Sequence, residues 1–321
     1  MNEREQMVVV GFGWVGQANA LALTAMGYGV SYFDIGSPER HYGKYAELYD
    51  SVTRLDSILQ TDSPETCYIV CVGDRVSEDG VQDIGAIRSA LDSLKGANGV
   101  IVLRSTVLPD QLETLTFDYY VPEFLHEKYA VEECIAPHFV VVGKGATKKR
   151  EPAFFDAWRR RTPRLFDGTP REAAFVKYLS NLWNATRVAF VNEFGDTIAE
   201  PKSPADVNTI SRVMNFVLMS EPYQRYGRGF DGHCLPKDMR AFTRWYKDQN
   251  KNVALLEGAY RSNTAHIVLE KSHPSLPKWF AEWGTPHMSG LVALREFIYS
   301  VGKNIRDPRE FIQRRILGRD I

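Results

Sequence analysis

Cysteine is scarce in this 321-residue chain, and what there is of it is scattered. Cys67, Cys71, Cys134 and Cys234 show no paired metal-ligand spacing, and the seven histidines supply none with each other or with the cysteines, so the sequence predicts no metal. Cys67 and Cys71 fall in the apolar run TCYIVCV, where they are expected to pack as small hydrophobes and stay thiols. An excess of one charge is also missing: 39 Lys and Arg oppose 40 Asp and Glu. No overall field or basic-aromatic stripe argues for nucleic acid or an acidic membrane surface, so any phosphate site must be local. Long apolar runs are absent from the start. MNEREQMVVV sets charges ahead of four apolar residues, short of a signal-peptide core or a spanning helix, and a cytoplasmic location is the expectation.

What is there begins at residue 7. MVVVGFGWVG reads as a buried strand followed by Gly11, Gly13 and Gly16 in Gly-x-Gly-x-x-Gly spacing and then a helical segment. Such glycines permit a tight turn, close approach of backbone to a pyrophosphate and tight strand–helix packing, with the helix N-terminus facing the negative charge. A second strand, GVSYFDI, ends near Asp34, where a carboxylate would bind ribose hydroxyls and repel a 2′-phosphate, which favours NAD over NADP. Trp14 and Val15 inside the turn, with Val72 and Thr106 after later strands, complete the expected cofactor contacts.

Further strand-like runs are TCYIVCV (66–72), GVIVLRST (99–106), DYYVPEF (118–124) and HFVVVGKG (138–145), with helical patterns such as VQDIGAIRSALDSLK between some of them. Alternating β and α elements with near-continuous apolar strands imply a mainly parallel sheet covered on both faces. The fold class expected is α/β: a doubly wound, Rossmann-type NAD-binding domain over residues 1–168, then a long helix and helical domain over 169–267, then a short helical tail over 268–321. Ligands in such sheets sit beyond the carboxyl ends of the strands, and Thr106 and Glu123 fall there.

From Pro170 about thirty residues run without an internal proline, enough for a helix of roughly 40 Å that bridges domains or packs on a second subunit. On it Lys177 and Asn181 are spaced i, i+4. They make either an exposed pair or an ammonium and an amide presented together to one substrate oxygen. Beyond ADVNTISRVMNFVLM comes GRGFDGHCLPKD, and KDMRAFTRWYKD continues as a helix from about Lys237. Cys234 is thus placed in a glycine-rich turn close to a helix N-terminus and cations, a setting that lowers a thiol's pKa and enriches the thiolate.

Taken in order, VVVGFGWVG with Asp34, CVGDRVSEDGVQD, RSTVLPD, VPEFLHE, KYLSNLWNATRVAFVNE, GRGFDGHCLPKD and LLEGAYRSN resemble the nucleotide-sugar 6-dehydrogenase family, over roughly residues 8 to 267. The resemblance implies oxidation of a sugar C6 alcohol to a carboxylate with two NAD and water, through an enzyme-bound thioester. UDP-glucose to UDP-glucuronate is the family's commonest conversion. It implies Cys234 as nucleophile and Lys177 and Asn181 as oxyanion stabilisers, with Asp238 orienting Lys177 or a water. Thr106 and Glu123 would hold or activate water, and Glu127 would be a second carboxylate. Phe124, Leu125, Tyr223 and Gly229 would line the sugar-nucleotide site, and a homodimer would form through the long helix.

The chain departs from the family's pattern in two places. Asp231-Gly232 stands where the family has Gly-Gly, which sets a carboxylate near the thiol and would tend to raise its pKa. His233 reads either as a surface residue or as a cation near the thiolate. After LLEGAYRSN there is no second glycine fingerprint, and the family's third, Rossmann-like domain is expected to be absent. Lys303, Arg306, Arg314 and Arg315 in the tail are either diphosphate contacts or a solvated basic face. Two other functions fit part of the pattern: a two-electron dehydrogenase of a small hydroxy acid, and a non-catalytic NAD-binding subunit or sensor.

Overall fold

The computed structural model describes residues 5–277 apart from 148, 163, 220–222 and 275. The tail cations expected to meet a diphosphate, Lys303, Arg306, Arg314 and Arg315, lie outside the described residues. Along the chain β1 (Gln6–Val10), α1 (Trp14–Ala25), β2 (Gly29–Phe33), α2 (Ala46–Tyr49), β3 (Thr53–Arg54) and β4 (Thr66–Val70) come first. A hairpin of β5 (Arg75–Val76) and β6 (Gln82–Asp83) precedes α3 (Gly85–Ser93), β7 (Val100–Leu103), α4 (Pro109–Leu112) and β8 (Tyr119–Tyr120). Then follow α5 (Ala130–Ile135), β9 (Val140–Lys144), α6 (Ala153–Arg159) and β10 (Leu165–Gly168). Four helices finish the described chain: α7 (Pro170–Ile198), α8 (Pro204–Leu218), α9 (Cys234–Asp248) and α10 (Ala254–Glu270).

The main sheet has the order β10-β9-β8-β7-β4-β1-β2-β3. Every pairing in it is parallel except β8 with β9. Its central strands are short and apolar on both sides, and the side-chain period of two divides them between two cores. Met7 and Val9 face one core with α1, α5 and α6, while Val8 and Val10 face the other with α3 and the start of α7. Chain direction reverses its progress across the sheet between β1 and β4, which opens a crevice beyond their carboxyl ends. DYYVPEF contributes only Tyr119–Tyr120 to the sheet. Pro122 has no N–H to offer a ladder, and Glu123 is released into the region above the strand ends.

The 29-residue α7 starts on a capping box: the Thr169 side chain accepts from Glu172 N, Glu172 reaches back to Thr169 N, and Pro170 takes the first turn. Its buried residues include Ala173, Lys177, Asn181, Ala185, Val188, Asn192 and Gly195, a single stripe at helical spacing. Lys177 and Asn181 therefore lie inside the molecule and not on a solvated face. The stripe meets the sheet at its start and α9 and α10 further along. The helix after the glycine-rich turn starts at Cys234 itself, not at Lys237 as expected, because His233 is already helical in backbone and Leu235 and Met239 turn inward onto α7.

Candidate functional site

Two regions gather the predicted site residues. In the first, Gly11 has a φ of +86°, open to glycine alone at low cost, and a Cβ on Gly16 would stand 1.9 Å from the Gly11 carbonyl oxygen. A Cβ on Gly13, the residue capping α1, would meet nothing within 4 Å. Two glycines thus close the turn, while the third leaves open space at the N-terminus of α1, as an approaching pyrophosphate requires. Asp34 is anchored beside this turn, accepting from Phe12 N at 2.6 Å and from Gly36 N at 2.7 Å. Val72 leans against Gly11, and Trp14 is stacked on His41 with ring centroids 4.1 Å apart. Open turn, helix N-terminus and anchored carboxylate fit a dinucleotide of the NAD type.

The second region is a cleft of about 840 Å³. Its walls bring together Glu123, Phe124, Leu125, Glu127, Lys177, Asn181, Tyr223 and Cys234, which the sequence separates by more than a hundred residues. Lys177 Nζ lies 3.3 Å from Glu123 Oε1, and Glu123 Oε2 accepts from Leu125 N at 2.8 Å. Burial favours a neutral Lys177, yet the Glu123 and Asp238 carboxylates outweigh it and raise its pKa, so the ammonium is retained. Asn181 Nδ2 donates to Asp238 Oδ2 at 2.5 Å, which fixes how the amide is turned.

Four expectations are corrected. The Cys234 thiol, accessible from the cleft, is not lowered in pKa by its helix N-terminus. Burial, then the Glu123 carboxylate, pushes it up to about 11 against the opposing pull of Lys177. The carboxylate that matters most to it is accordingly Glu123, not Asp231. Asp238 orients Asn181 and pairs with Lys237, and among the described residues it reaches Lys177 through charge and not through a hydrogen bond. Gly229 faces away from the cleft: a Cβ there would meet Asn263 Oδ1 at 2.7 Å and Ile267 Cγ1 at 2.8 Å on α10. Thr106, expected among the cofactor contacts, lies three residues beyond β7, buried, with its carbonyl accepting from Gln82 at 3.2 Å.

A buried polar chain behind the cleft escaped the sequence reading. Lys237 Nζ sits 2.8 Å from Asp74 Oδ1 and 2.9 Å from Asp238 Oδ1. Gln82 joins the same Asp74 at 2.7 Å and receives Leu108 N at 2.9 Å. One ammonium between two carboxylates ties the loop after β4 to the helix that begins with Cys234, so the two regions are joined through charge as well as packing. The signal present was the pair of charges in CLPKD and CVGD, but nothing in their spacing joins them. Arg187, also missed, lines the cleft with its guanidinium 5.4 Å from the Trp183 ring and 5.6 Å from the Tyr223 ring.

The fold is α/β with a glycine turn that fits a dinucleotide, and it carries a separate cleft that gathers a cysteine, an ammonium and an amide. Comparison with known proteins narrows this. The family model "UDP-glucose/GDP-mannose dehydrogenase family, central domain" matches residues 171–265. The chain is 27% identical over 301 aligned residues to a GDP-mannose 6-dehydrogenase of Pseudomonas savastanoi pv. phaseolicola, covering 81% of this chain and 68% of that protein. It is 26% identical to a UDP-glucose 6-dehydrogenase of Rickettsia bellii, covering 83% and 67%. A UDP-glucose dehydrogenase structure from Pyrobaculum islandicum shares the fold with a TM-score of 0.68 at 24% identity, over 82% of this chain and 68% of that one. The match to the family model is confined to this central region, and the named relatives are similar to the chain at 26–27% identity; that family is NAD-dependent in general. The chain spans about two thirds of the length of these relatives.

Proposed function

We propose that this protein oxidises the C6 alcohol of a nucleotide sugar to the carboxylate in two NAD-linked steps, with a thioester on Cys234 between them, and that the sugar nucleotide is UDP-glucose. The single observation that supports the reading is that Cys234, Lys177, Asn181 and Glu123 share one cleft. The division into an NAD domain (1–168), a helical domain (169–267) and a tail (268–321) goes with it.

NAD, when bound, supplies the hydride acceptor for each oxidation. The chain's own groups do the rest. The Lys177 ammonium and the Asn181 amide present donors to an oxygen on the reacting carbon, where removing one such donor typically costs about 10²- to 10³-fold in rate. Addition of Cys234 Sγ to the aldehyde carbon retains the aldehyde and makes a tetrahedral centre that carries hydrogen and oxyanion together. Loss of a second electron pair leaves the thioester, which water hydrolyses to carboxylate and thiol. Glu123, next to Lys177 and sensed by Cys234, is the base that activates this water, and Glu127 is a second carboxylate of the cleft. Thr106, buried beneath Gln82, takes a supporting place behind the cofactor.

A homodimer through α7 goes with this reading. Leu179, Trp183, Phe190 and Phe194 on α7, with Phe216 and Val217 on α8, are exposed among the described residues, an apolar surface larger than a solvated helix needs. No helix of the described residues is long and apolar enough to cross a membrane. A cytoplasmic location is part of the proposal.

The deciding experiment counts NADH formed per sugar consumed with UDP-glucose and, separately, GDP-mannose, and digests a quenched reaction to find the modified peptide. Two NADH with UDP-glucose and an acyl group on Cys234 support the proposal. One NADH, with free thiol throughout, sinks it in favour of a two-electron dehydrogenase. Turnover of GDP-mannose alone moves the substrate but not the chemistry.

A further inference from the structure

The spacing of histidines predicts no metal, yet folding brings two of them onto one carboxylate. His126 Nδ1 lies 2.7 Å from Glu133 Oε1, and His138 Nε2 lies 3.4 Å from the same oxygen. One ligand atom from each of the three residues falls within 4.8 Å of the others. The three come from a short stretch of chain: His126 precedes the turn Glu127–Tyr129, Glu133 stands on α5, and His138 leads into β9. Their placement costs little loop entropy.

We propose that His126, Glu133 and His138 form a three-ligand site for a divalent transition metal of the zinc class, set in the wall of the substrate cleft. Four arguments support it. Two imidazole nitrogens and one carboxylate oxygen are the donor set that suits Zn²⁺, Co²⁺ and Ni²⁺ rather than Mg²⁺ or Ca²⁺. Ligand atoms about 2.0–2.1 Å from a tetrahedral ion stand about 3.3 Å apart. The His138–Glu133 pair is already at 3.4 Å; as an ion replaces the shared proton the His126–Glu133 pair opens by about 0.6 Å, and the ligand atoms of the two histidines, within 4.8 Å of each other, draw in on the same ion. The carboxylate is held in orientation from behind, because Glu133 Oε2 accepts from His126 N at 2.6 Å. His126 and His138 both line the cleft, so further coordination positions face open space and can take water or a phosphate oxygen.

None of the three residues has a part in the oxidation proposed above, so this site stands or falls separately. The test uses chelator-treated full-length protein carrying Cys234→Ser, which removes the competing thiol, and titrates Co²⁺ followed by its visible absorption, then Zn²⁺ by calorimetry. One ion per chain is expected, with a Kd below about 100 µM, weakened about 10- to 100-fold by His138→Gln and by Glu133→Gln. His138→Gln keeps a hydrogen-bond donor toward Glu133, so thermal unfolding separates loss of a ligand from loss of structure. His233→Ala should leave binding unchanged. Absence of stoichiometric binding, or binding that persists in His126→Ala/His138→Gln or is abolished by His233→Ala, overturns the proposal. NAD binding, measured in parallel, reports on the cofactor reading by itself.

Discussion

The turn between β1 and α1 and the cleft along α7 serve one proposed reaction by opposite means. The turn is made of backbone: its contacts are N–H groups, a helix end and the space left by absent side chains, all within Val10 to Asp34. The cleft is made of side chains drawn from β8's far end, α7 and α9, and Lys177 and Asn181 in it are each held by a carboxylate from another element. A backbone site is specified by local conformation, so glycine spacing announces it. A side-chain site exists only after the helices have packed, and its electrostatics belong to the assembly: Cys234 has the helix N-terminus that should acidify it, yet burial and Glu123 win.

The largest expected effect is at the joint between the two regions. Lys237→Met leaves Asp74 and Asp238 buried without their shared cation and should cost about 3–5 kcal/mol in denaturant unfolding. A loss under about 1 kcal/mol would mean the joint is not held by charge. Next is the turn. Gly16→Ala drives a Cβ to 1.9 Å from a carbonyl oxygen and should cost about 1–3 kcal/mol together with NAD affinity. Gly13→Ala, with its Cβ in open space, should change stability by no more than about 0.5 kcal/mol while still weakening NAD. Equal effects of the two on stability, seen by thermal unfolding, would break the distinction between a packing glycine and a cofactor glycine.

The cleft is sharpened by pH. With the Cys234 thiol pushed up to about 11, the thiolate at pH 8 is about one part in a thousand, and alkylation should speed up about tenfold per pH unit from 7 to 10. Glu123→Gln removes a negative charge that raises this pKa and should make alkylation at pH 8 faster. Lys177→Met removes the opposing cation and should make it slower. A rate that levels off near pH 8 in the native protein would contradict the field described here. The smallest effect is at the start of α7, where Thr169→Ala removes a capping hydrogen bond and should cost about 1 kcal/mol in thermal or denaturant unfolding.

Much of the architecture was legible before any coordinates. Apolar runs gave β1, β2, β4, β7 and β9, and the absence of internal proline gave α7 nearly to the residue. The two-residue β3 and the solvent-leaning β10 were missed, because strands so short or so weakly apolar show no pattern apart from the sheet edge they join. In the cleft, Cys234, Lys177, Asn181 and Glu123 were each singled out from local sequence, but the Asp74–Lys237 pair and the His126–Glu133–His138 cluster were not. Ion pairs and converging imidazoles depend on loop paths that periodicity does not encode.

By itself the sequence determined the parallel sheet, the glycine turn and the long helix, since strand hydrophobicity, glycine's φ freedom and helix propensity act over neighbouring residues. Only tertiary structure decided that Lys177 is charged though buried, that the Cys234 thiol is hard to ionise, that Asp238 serves Asn181, and that Gly229 packs on α10. The reason is that desolvation and Coulomb energy are set by every atom within several ångströms, whichever part of the chain it comes from.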